Sequence, residues 1–577
     1  MKKFINIIKF ANKKYLFVIS VLLNIIIVGC TIFLPILFGN AINEIINNGT
    51  NFKALFQILN YCFILILIIT LAQFLVGIIN NEISYNLIKV LRIKLFKKIQ
   101  ILPLKYIDKT GNGSILSTII NDVELIGDGV LLVLNQFING ILTIIGTICF
   151  MFYINWFMGI FIVVFTPLSI FIARFITKKT YHYFSKVAET RSIISSNIDE
   201  YTDNIKIIKR ENYGEKALNK FNNLNNQFSD YSFKAVYYSS WTNPFTRFIN
   251  SIVYAVTALI GAIFIVKGSI GQQITIGYLI SLLSYANQYA KPFNDITQVI
   301  SEIQNAFASS NRIDELFNEK EEDYSKNINE IKNIEGKVDI NHVYFSYNDF
   351  PLIEDLNLHV EKGMVIAIVG ATGAGKTTII NLLMRFYDVN KGNIYLDNFD
   401  INTLTKGSFR SQIGMILQDS WLKHASIKEN VSIGKKDASM DEIIDACKKA
   451  YIHDTIMNLE NGYDTIINDD SVLSQGEKQL LCIARVMLMN PNMLIFDEAT
   501  SNIDTSTEQK IQLSLQSIIK NKTSFIVAHR LSTIKNADLI IVLDHGNIIE
   551  SGKHEELLAK KGHYFDIYNA QFIQKTN

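Results

Sequence analysis

The sequence predicts two fold classes in succession: a helical domain that crosses a membrane six times, then a layered α/β domain. Two observations carry this reading. The first half holds charge-free runs far longer than a soluble core requires. The second half alternates short β-rich runs with helical segments around one glycine-rich loop.

At 577 residues the chain exceeds one ordinary core, so at least two domains are expected. It is 49% apolar and only 19% charged, with a mean hydropathy of +0.21. Soluble domains carry about 25% charge, and the deficit here lies in the first half. A net charge of +2 gives no reason to expect a nucleic-acid partner. Cys30, Cys62, Cys149, Cys447 and Cys482 form no CxxC pair and neighbour no histidine at ligand spacing, so they read as apolar packing.

The basic N-terminus, Met1 to Lys14, leads into an apolar run too long for a signal-peptide core, which reads as a retained anchor. Tyr15 to Asn43 and Ala54 to Asn81 lack any charge, and each exceeds the roughly 20 residues that span a hydrocarbon core. Gly129 to Ala173 is long enough for two spans, with a polar-aromatic turn at Tyr153-Ile154-Asn155-Trp156. Phe248 to Val266 makes a fifth span, and a sixth begins near Ile274 and passes Lys291-Pro292. Buried soluble helices are the alternative, but they rarely need to be apolar all round. Lys2, Lys3, Lys9, Lys13 and Lys14 precede the first span. Lys89 to Lys105 follow the second and Lys178 to Lys234 the fourth, so positive-inside bias places both chain ends in the cytosol.

Between spans, Ile83–Leu102 and Ala188–Tyr201 keep helical patterning with interspersed charge, so the spans are expected to run on as helices. Polar breaks at Asp108–Gly113 and Glu211–Gly214 mark where these excursions turn back. The expected boundaries are a membrane domain at 1–317, a linker at 318–336 containing Glu319-Lys320-Glu321-Glu322-Asp323, and a nucleotide domain at 337–577.

Chemistry concentrates at Gly370-Ala371-Thr372-Gly373-Ala374-Gly375-Lys376-Thr377, after the strand-like Met364–Val369 and before the helix-like Thr378–Arg385. Glycines let backbone N–H groups wrap phosphates, and the helix N-terminus favours negative charge. Lys376 is placed to reach the β- and γ-phosphates, and the Thr377 hydroxyl to ligate magnesium. Met493–Phe496 ends in Asp497-Glu498, where the aspartate can hold magnesium through water and Glu498 can polarise the attacking water. An acidic pair after an apolar run is ordinarily a solvated turn; the phosphate loop gives this one meaning.

Leu473-Ser474-Gln475-Gly476-Glu477-Lys478-Gln479 is similar to the signature of ATP-binding cassette (ABC) proteins. Gln418 after Ile413–Leu417 matches the family's glutamine loop, Ser501-Asn502-Ile503-Asp504 its D-loop, and His529 after Phe525–Ala528 its switch histidine. Tyr347 matches the aromatic that stacks on adenine. With the six spans, the chain resembles the family's exporter branch, as a half-transporter with an α/β P-loop NTPase domain. The resemblance implies ATP and Mg2+ as cofactors, with Gly370 to Thr378 and Tyr347 on one nucleotide. Ser474 and Gly476 would contact the nucleotide of a partner chain. Thr377, Gln418 and Asp497 would attend magnesium, with Glu498, His529 and Gln418 serving hydrolysis. The breaks near Asp108 and Glu211 look like coupling helices that transmit closure to the spans.

The departures matter too. Gln475 stands where the family has glycine and Glu477 where it has glutamine, while Asn468-Asp469-Asp470-Ser471 replaces a glutamate-x-glycine element. Such drift accompanies unequal partners, so homodimer and heterodimer both stay open. The expected activity is ATP-driven export of amphipathic small molecules, drug-like or lipid, across a bacterial cytoplasmic membrane. Peptide export or lipid flipping shares this architecture, and an ATP-gated regulator or channel is the alternative of another class. Gln73, Gln136, Asn139, Asn250 and Gln288 within the spans either line a cavity or hydrogen-bond between helices.

Overall fold

The charge-free runs Tyr15 to Asn43 and Ala54 to Asn81 become uninterrupted helix, because in hydrocarbon every backbone N–H and C=O must find its partner within the protein. The computed structural model describes residues 4–570 except 5, 8, 11–12, 48–51, 269, 323–329, 332, 349, 418–419, 469–471, 498–503 and 528–533. The chain divides into two units, Met1–Gln100 with Asn112–Glu319 and Ile101–Gly111 with Lys320–Asn577.

The first unit is helical. Its elements are α1 (Lys14–Asn47) and α2 (Phe52–Ile99); α3 (Leu104–Thr110) belongs to the second unit. Then follow α4 (Asn112–Ile154), α5 (Trp156–Phe165), α6 (Leu168–Asp203), α7 (Ile205–Arg210), α8 (Gly214–Ser240), α9 (Thr242–Lys267) and α10 (Ile276–Asn318). At 1.5 Å per residue the 48 residues of α2 extend about 72 Å, more than twice the thickness of a hydrocarbon core. Among the described residues Tyr15–Ile46, Phe52–Ile99, Asn112–Ile154 and Gly214–Lys267 are long and apolar enough to cross a membrane, and Trp156–Phe165 is a shorter apolar helix. Phe52, Phe56, Phe63, Leu71 and Phe74 on α2 are each more than half exposed, a surface that water does not tolerate at this density but lipid does.

The long apolar run from Gly129 divides at Asn155, as its polar-aromatic turn predicts. Asn155 is extended (φ −157°, ψ 116°), and its Oδ1 caps α5 by accepting from Met158 N at 3.1 Å. Its Nδ2 donates to the carbonyls of Ile270 and Gln272 at 3.0 and 2.9 Å, holding the turn that follows α9. One buried amide thereby fixes two interhelical turns.

Helices α1 and α10 meet at glycine. A Cβ on Gly277 would lie 2.0 Å from the Gly39 carbonyl oxygen, so only glycine permits this approach. Around it, Ser281 Oγ donates to Pro35 O at 2.7 Å, Tyr285 Oη to Ile32 O at 2.6 Å, and Gly277 N to Asn43 Oδ1 at 3.0 Å. Helix α4 contains two π-helical turns, Thr118–Asp122 and Val133–Phe137. At the first, buried Asp122 accepts from Arg312 Nε at 2.8 Å and Ser309 Oγ at 2.9 Å, joining α4 to α10.

The second unit is α/β. One sheet is antiparallel, with strand order β2-β1-β4-β5: β1 (Val338–Phe345), β2 (Ile353–Val360), β4 (Lys391–Leu396) and β5 (Phe399–Asp400). The other contains β3 (Val365–Gly370), β6 (Ile413–Ile416), β7 (Met493–Asp497), β8 (Thr523–Val527), β9 (Leu539–Asp544) and β10 (Asn547–Gly552), in the order β10-β9-β3-β8-β7-β6. Its pairs are parallel except β9–β10. Every residue of β8 is buried, as expected for a parallel strand covered on both faces. The strand-like runs read from sequence lie within two residues of β3, β6, β7 and β8.

Within the stretch read as a linker, the Glu322 side chain is only 7% exposed. Its carboxylate meets Lys406 Nζ at 2.9 Å and Arg410 Nη2 at 2.8 Å on α12 (Lys406–Arg410), while its N–H donates to Ile101 O at 2.6 Å. Ile331 and Ile334 join the core beneath β1. A run of charges looks solvated when its partners lie some eighty residues ahead.

Candidate nucleotide site

In open parallel sheets ligands bind beyond the carboxyl ends of the strands. Strand β3 ends at Gly370, beside β8 on one flank and β9 on the other, with β7 next beyond β8. From there the glycine-rich loop turns into α11 (Lys376–Leu383). Gly373 and Gly375 adopt φ of +85° and +99°, which an L side chain rarely accepts. A Cβ on Gly370 would come within 2.5 Å of Leu543 O, and Gly546 N donates to Ala374 O at 3.0 Å, so β9 and its following turn brace the loop.

Ala371, Thr372 and Gly373 are exposed, while Ala374 is buried and anchors the loop. Lys376 Nζ arches over it, donating to Gly370 O at 2.8 Å and Ala371 O at 2.9 Å. Burial lowers the pKa of this ammonium, and the charge of Asp497 at the end of β7 raises it. The Thr377 hydroxyl is exposed on the first turn of α11.

Tyr347 and Thr378, read from sequence as separate contacts, form one assembly. Tyr347 Oη donates to Thr378 Oγ1 at 3.3 Å and accepts from Asn381 Nδ2 at 3.1 Å. Phe345 and Tyr387 meet its ring edge-on at 4.8 and 4.9 Å, and the ring stays 37% exposed. That presents a fixed aromatic to a base. Asn381 was missed; its only sequence signal is the i, i+3 spacing from Thr378 on one helix face.

Ser474 caps α13 (Gln475–Met489). Its Oγ accepts from Glu477 N at 3.3 Å, and Glu477 Oε2 accepts from Ser474 N at 2.8 Å. Gly476 is buried in the first turn, and Ser474 and Gln475 are exposed. Asp504 caps α14 (Thr505–Ile519) through Thr507 N at 2.9 Å, and the amides there hold its carboxyl below the usual range.

Gln418, Glu498 and His529 lie outside the described residues, as do Ser501, Asn502, Ile503, Asp469, Asp470 and Ser471. The strands leading to the three predicted hydrolytic residues, β6, β7 and β8, are parallel neighbours.

Among the described residues no group of three or more His, Cys, Asp or Glu could hold a metal alone. Magnesium needs no such group: a hydroxyl, one or two carboxylates and substrate phosphates suffice. Exposed Thr377 and half-buried Asp497 would supply that hard-oxygen chemistry.

In the second unit α3, which carries Asp108, touches this machinery. Tyr387 Oη donates to Asp108 Oδ2 on α3.

A parallel sheet delivering a braced glycine loop, a lysine and a helix N-terminus defines a phosphate-loop ATPase. Comparison with known proteins specifies it further. The ABC transporter transmembrane region matches residues 17–293, and the ABC transporter ATPase family matches 353–501. A fatty acid ABC transporter ATP-binding/permease protein of Mycobacterium bovis is 35% identical over 85% of this chain and 78% of its own. A putative multidrug export ATP-binding/permease protein of Staphylococcus aureus is 32% identical over 99% of this chain and 100% of its own. The solved structure of a bacterial Atm1-family ABC exporter with ATP bound aligns with a TM-score of 0.80 and 26% identity, over 97% of this chain and 99% of that one. The chain belongs to the ABC transporter family, as an ATP-hydrolysing exporter with its transmembrane region and ATPase fused in one polypeptide.

Proposed function

We propose that this chain exports amphipathic small molecules, drug-like or lipid, across a bacterial cytoplasmic membrane by alternating access. It does so as one half of a dimer, with six spans and both ends cytosolic. The boundaries 1–317, 318–336 and 337–577 describe its membrane domain, linker and ATPase domain. The observation that carries the reading is the pairing, on one chain, of a helical unit with lipid-compatible flanks and a preformed phosphate loop. Relatives named for fatty acid transport and multidrug export support the substrate class.

In this reading Gly370 to Thr378 cradle the phosphates, Tyr347 stacks on adenine, and Thr377, Gln418 and Asp497 hold Mg2+. Glu498 polarises the attacking water, with His529 and Gln418 reporting the γ-phosphate. In Glu498→Gln, ATP should still bind while phosphate release and substrate export into vesicles both fall at least about a hundredfold, the scale of losing a positioned general base. Export that survives without hydrolysis would favour the ATP-gated channel.

The capping box favours an unequal pair. Glu477 holds a carboxylate on the helix N-terminus that, in this family, faces the partner's nucleotide, and it occupies the Ser474 N–H. A negative charge there opposes a phosphate by about 1 kcal/mol. Glu477→Gln should therefore raise ATP turnover roughly fivefold, measured as phosphate release from the assembled dimer. A fast ATPase with two equivalent sites from this chain alone would defeat the unequal reading.

A further inference from the structure

The first unit contains a half-open cavity of about 280 Å³, lined by residues of the predicted spans, that the ATPase chemistry does not use. Its polar wall is built by Gln73 on α2, Asn135, Gln136 and Asn139 on α4, and Gln288 and Lys291 on α10. Ile27 and Val28 of α1 form an apolar side. Of the five span amides singled out in the sequence, four converge here and Asn250 does not. Among the described residues no carboxylate lines the space.

We propose that this cavity binds the head of an amphiphile carrying an anionic oxygen, carboxylate or phosphate, together with an O–H or N–H donor. This rests on the export reading and names its substrate class.

The amides alone fit a structural role, and some have one: Asn135 Oδ1 accepts from Asn80 Nδ2 at 2.6 Å, and Thr143 Oγ1 donates to Asn139 at 3.4 Å. Gln288 is different. Its Oε1 is buried and has no hydrogen-bond partner among the described residues. Pro292 follows four residues later and has no N–H to offer the Gln288 carbonyl at the usual helical spacing. A buried acceptor left unmade costs about 1–3 kcal/mol, which a ligand O–H or N–H would recover.

Lys291 supplies the opposite requirement. An ammonium within a span costs about 2.5–3.5 kcal/mol to insert, and such residues mark ligand or ion pathways. Among the described residues no acid lines the cavity, so an incoming anion can serve as its counter-charge. Asn135 and Gln136 sit on the π-helical turn Val133–Phe137, a distortion that re-aims side chains and recurs at functional sites. The volume holds a head group and not a whole lipid, and Ile27 and Val28 give it one apolar side.

The test uses the full-length protein in lipid nanodiscs without nucleotide, so binding is read separately from hydrolysis. Three labelled probes are compared: oleoyl lysophosphatidate, oleoylglycerol with the same tail and no charge, and glycerol phosphate with no tail. Lysophosphatidate should bind at least about tenfold more tightly than oleoylglycerol, the scale of one charge-assisted contact. Lys291→Gln should abolish that preference, Lys291→Arg should keep it, and Gln288→Leu should weaken both lipids. Glycerol phosphate binding as tightly as the lipid would make a soluble anion the source; weaker binding would make it a lipid head group. Both support the assigned chemistry. Equal affinity for charged and neutral lipids in the unaltered protein overturns it without any variant, as does unchanged selectivity in Lys291→Gln. Failure here leaves the export reading standing, since that falls only with the Glu498→Gln transport assay.

Discussion

Lys376→Ala is expected to lower ATP turnover by about a hundredfold to a thousandfold while moving thermal unfolding by less than about 1 kcal/mol. A preorganised donor aimed at developing phosphate charge contributes about 2.7–4 kcal/mol to a transition state, and that is the position Lys376 holds. Its two bonds run to loop carbonyls, Gly370 O part-buried and Ala371 O exposed, and water can replace them at modest cost. The measurement pairs phosphate release with a melting curve. Lys376→Arg should not rescue, because a planar guanidinium cannot fold back over so short a loop. A pH profile adds a second readout. Burial already sets the ammonium below the ordinary lysine range and Asp497 opposes this, so Asp497→Asn should shift the alkaline loss of Lys376 charge to lower pH.

The second large effect is structural. Glu322→Gln should cost about 3–5 kcal/mol, because it strands two cations in a site where Glu322 is 7% and Lys406 6% exposed. Differential scanning calorimetry should show the ATPase transition about 10 °C lower. Glu322→Gln combined with Lys406→Met should recover part of the loss, since one orphan charge is gone. Arg410 keeps its bonds to Met384 O and Arg385 O at 3.1 and 2.7 Å in either variant. The flanking cations hold the Glu322 carboxyl down at about 2, against 4.5 for a free glutamate. Its stabilisation is therefore complete above about pH 4.5 and drains away as pH falls toward 2. A melting temperature insensitive to pH across that window would contradict the burial of this charge.

How much of this was legible in advance depended on the range of the determining interaction. Phosphate-loop glycines are local: each answers to its own φ or to one close neighbour, so the loop and its flanking strand and helix could be read directly. Membrane helices are also local, since lipid demands internal hydrogen bonding along each segment. Asn155 was recognisable as a break, but not as the residue that also fastens the turn at Ile270 and Gln272, because nothing nearby announces a partner more than a hundred residues away. Glu322 is a second case: the linker composition around it gives no sign of Lys406 and Arg410, which bring its side chain inside. The convergence of Gln73, Gln136, Asn139 and Gln288 was likewise open on sequence, where cavity and interhelical glue look alike.

The assignment of Ile101–Gly111 to the same unit as Lys320–Asn577 has a consequence for inheritance and engineering. The catalytic module is discontinuous: one of its pieces is translated roughly two hundred residues before the remainder and must wait for it, a costly long-range closure. A chimaera that exchanges only the C-terminal half between relatives would separate Tyr387 from its Asp108, and Glu322 from the Ile101 carbonyl, unless the short early segment travels with it. Recombination among such transporters is thus expected to conserve that pairing even where the intervening spans diverge freely.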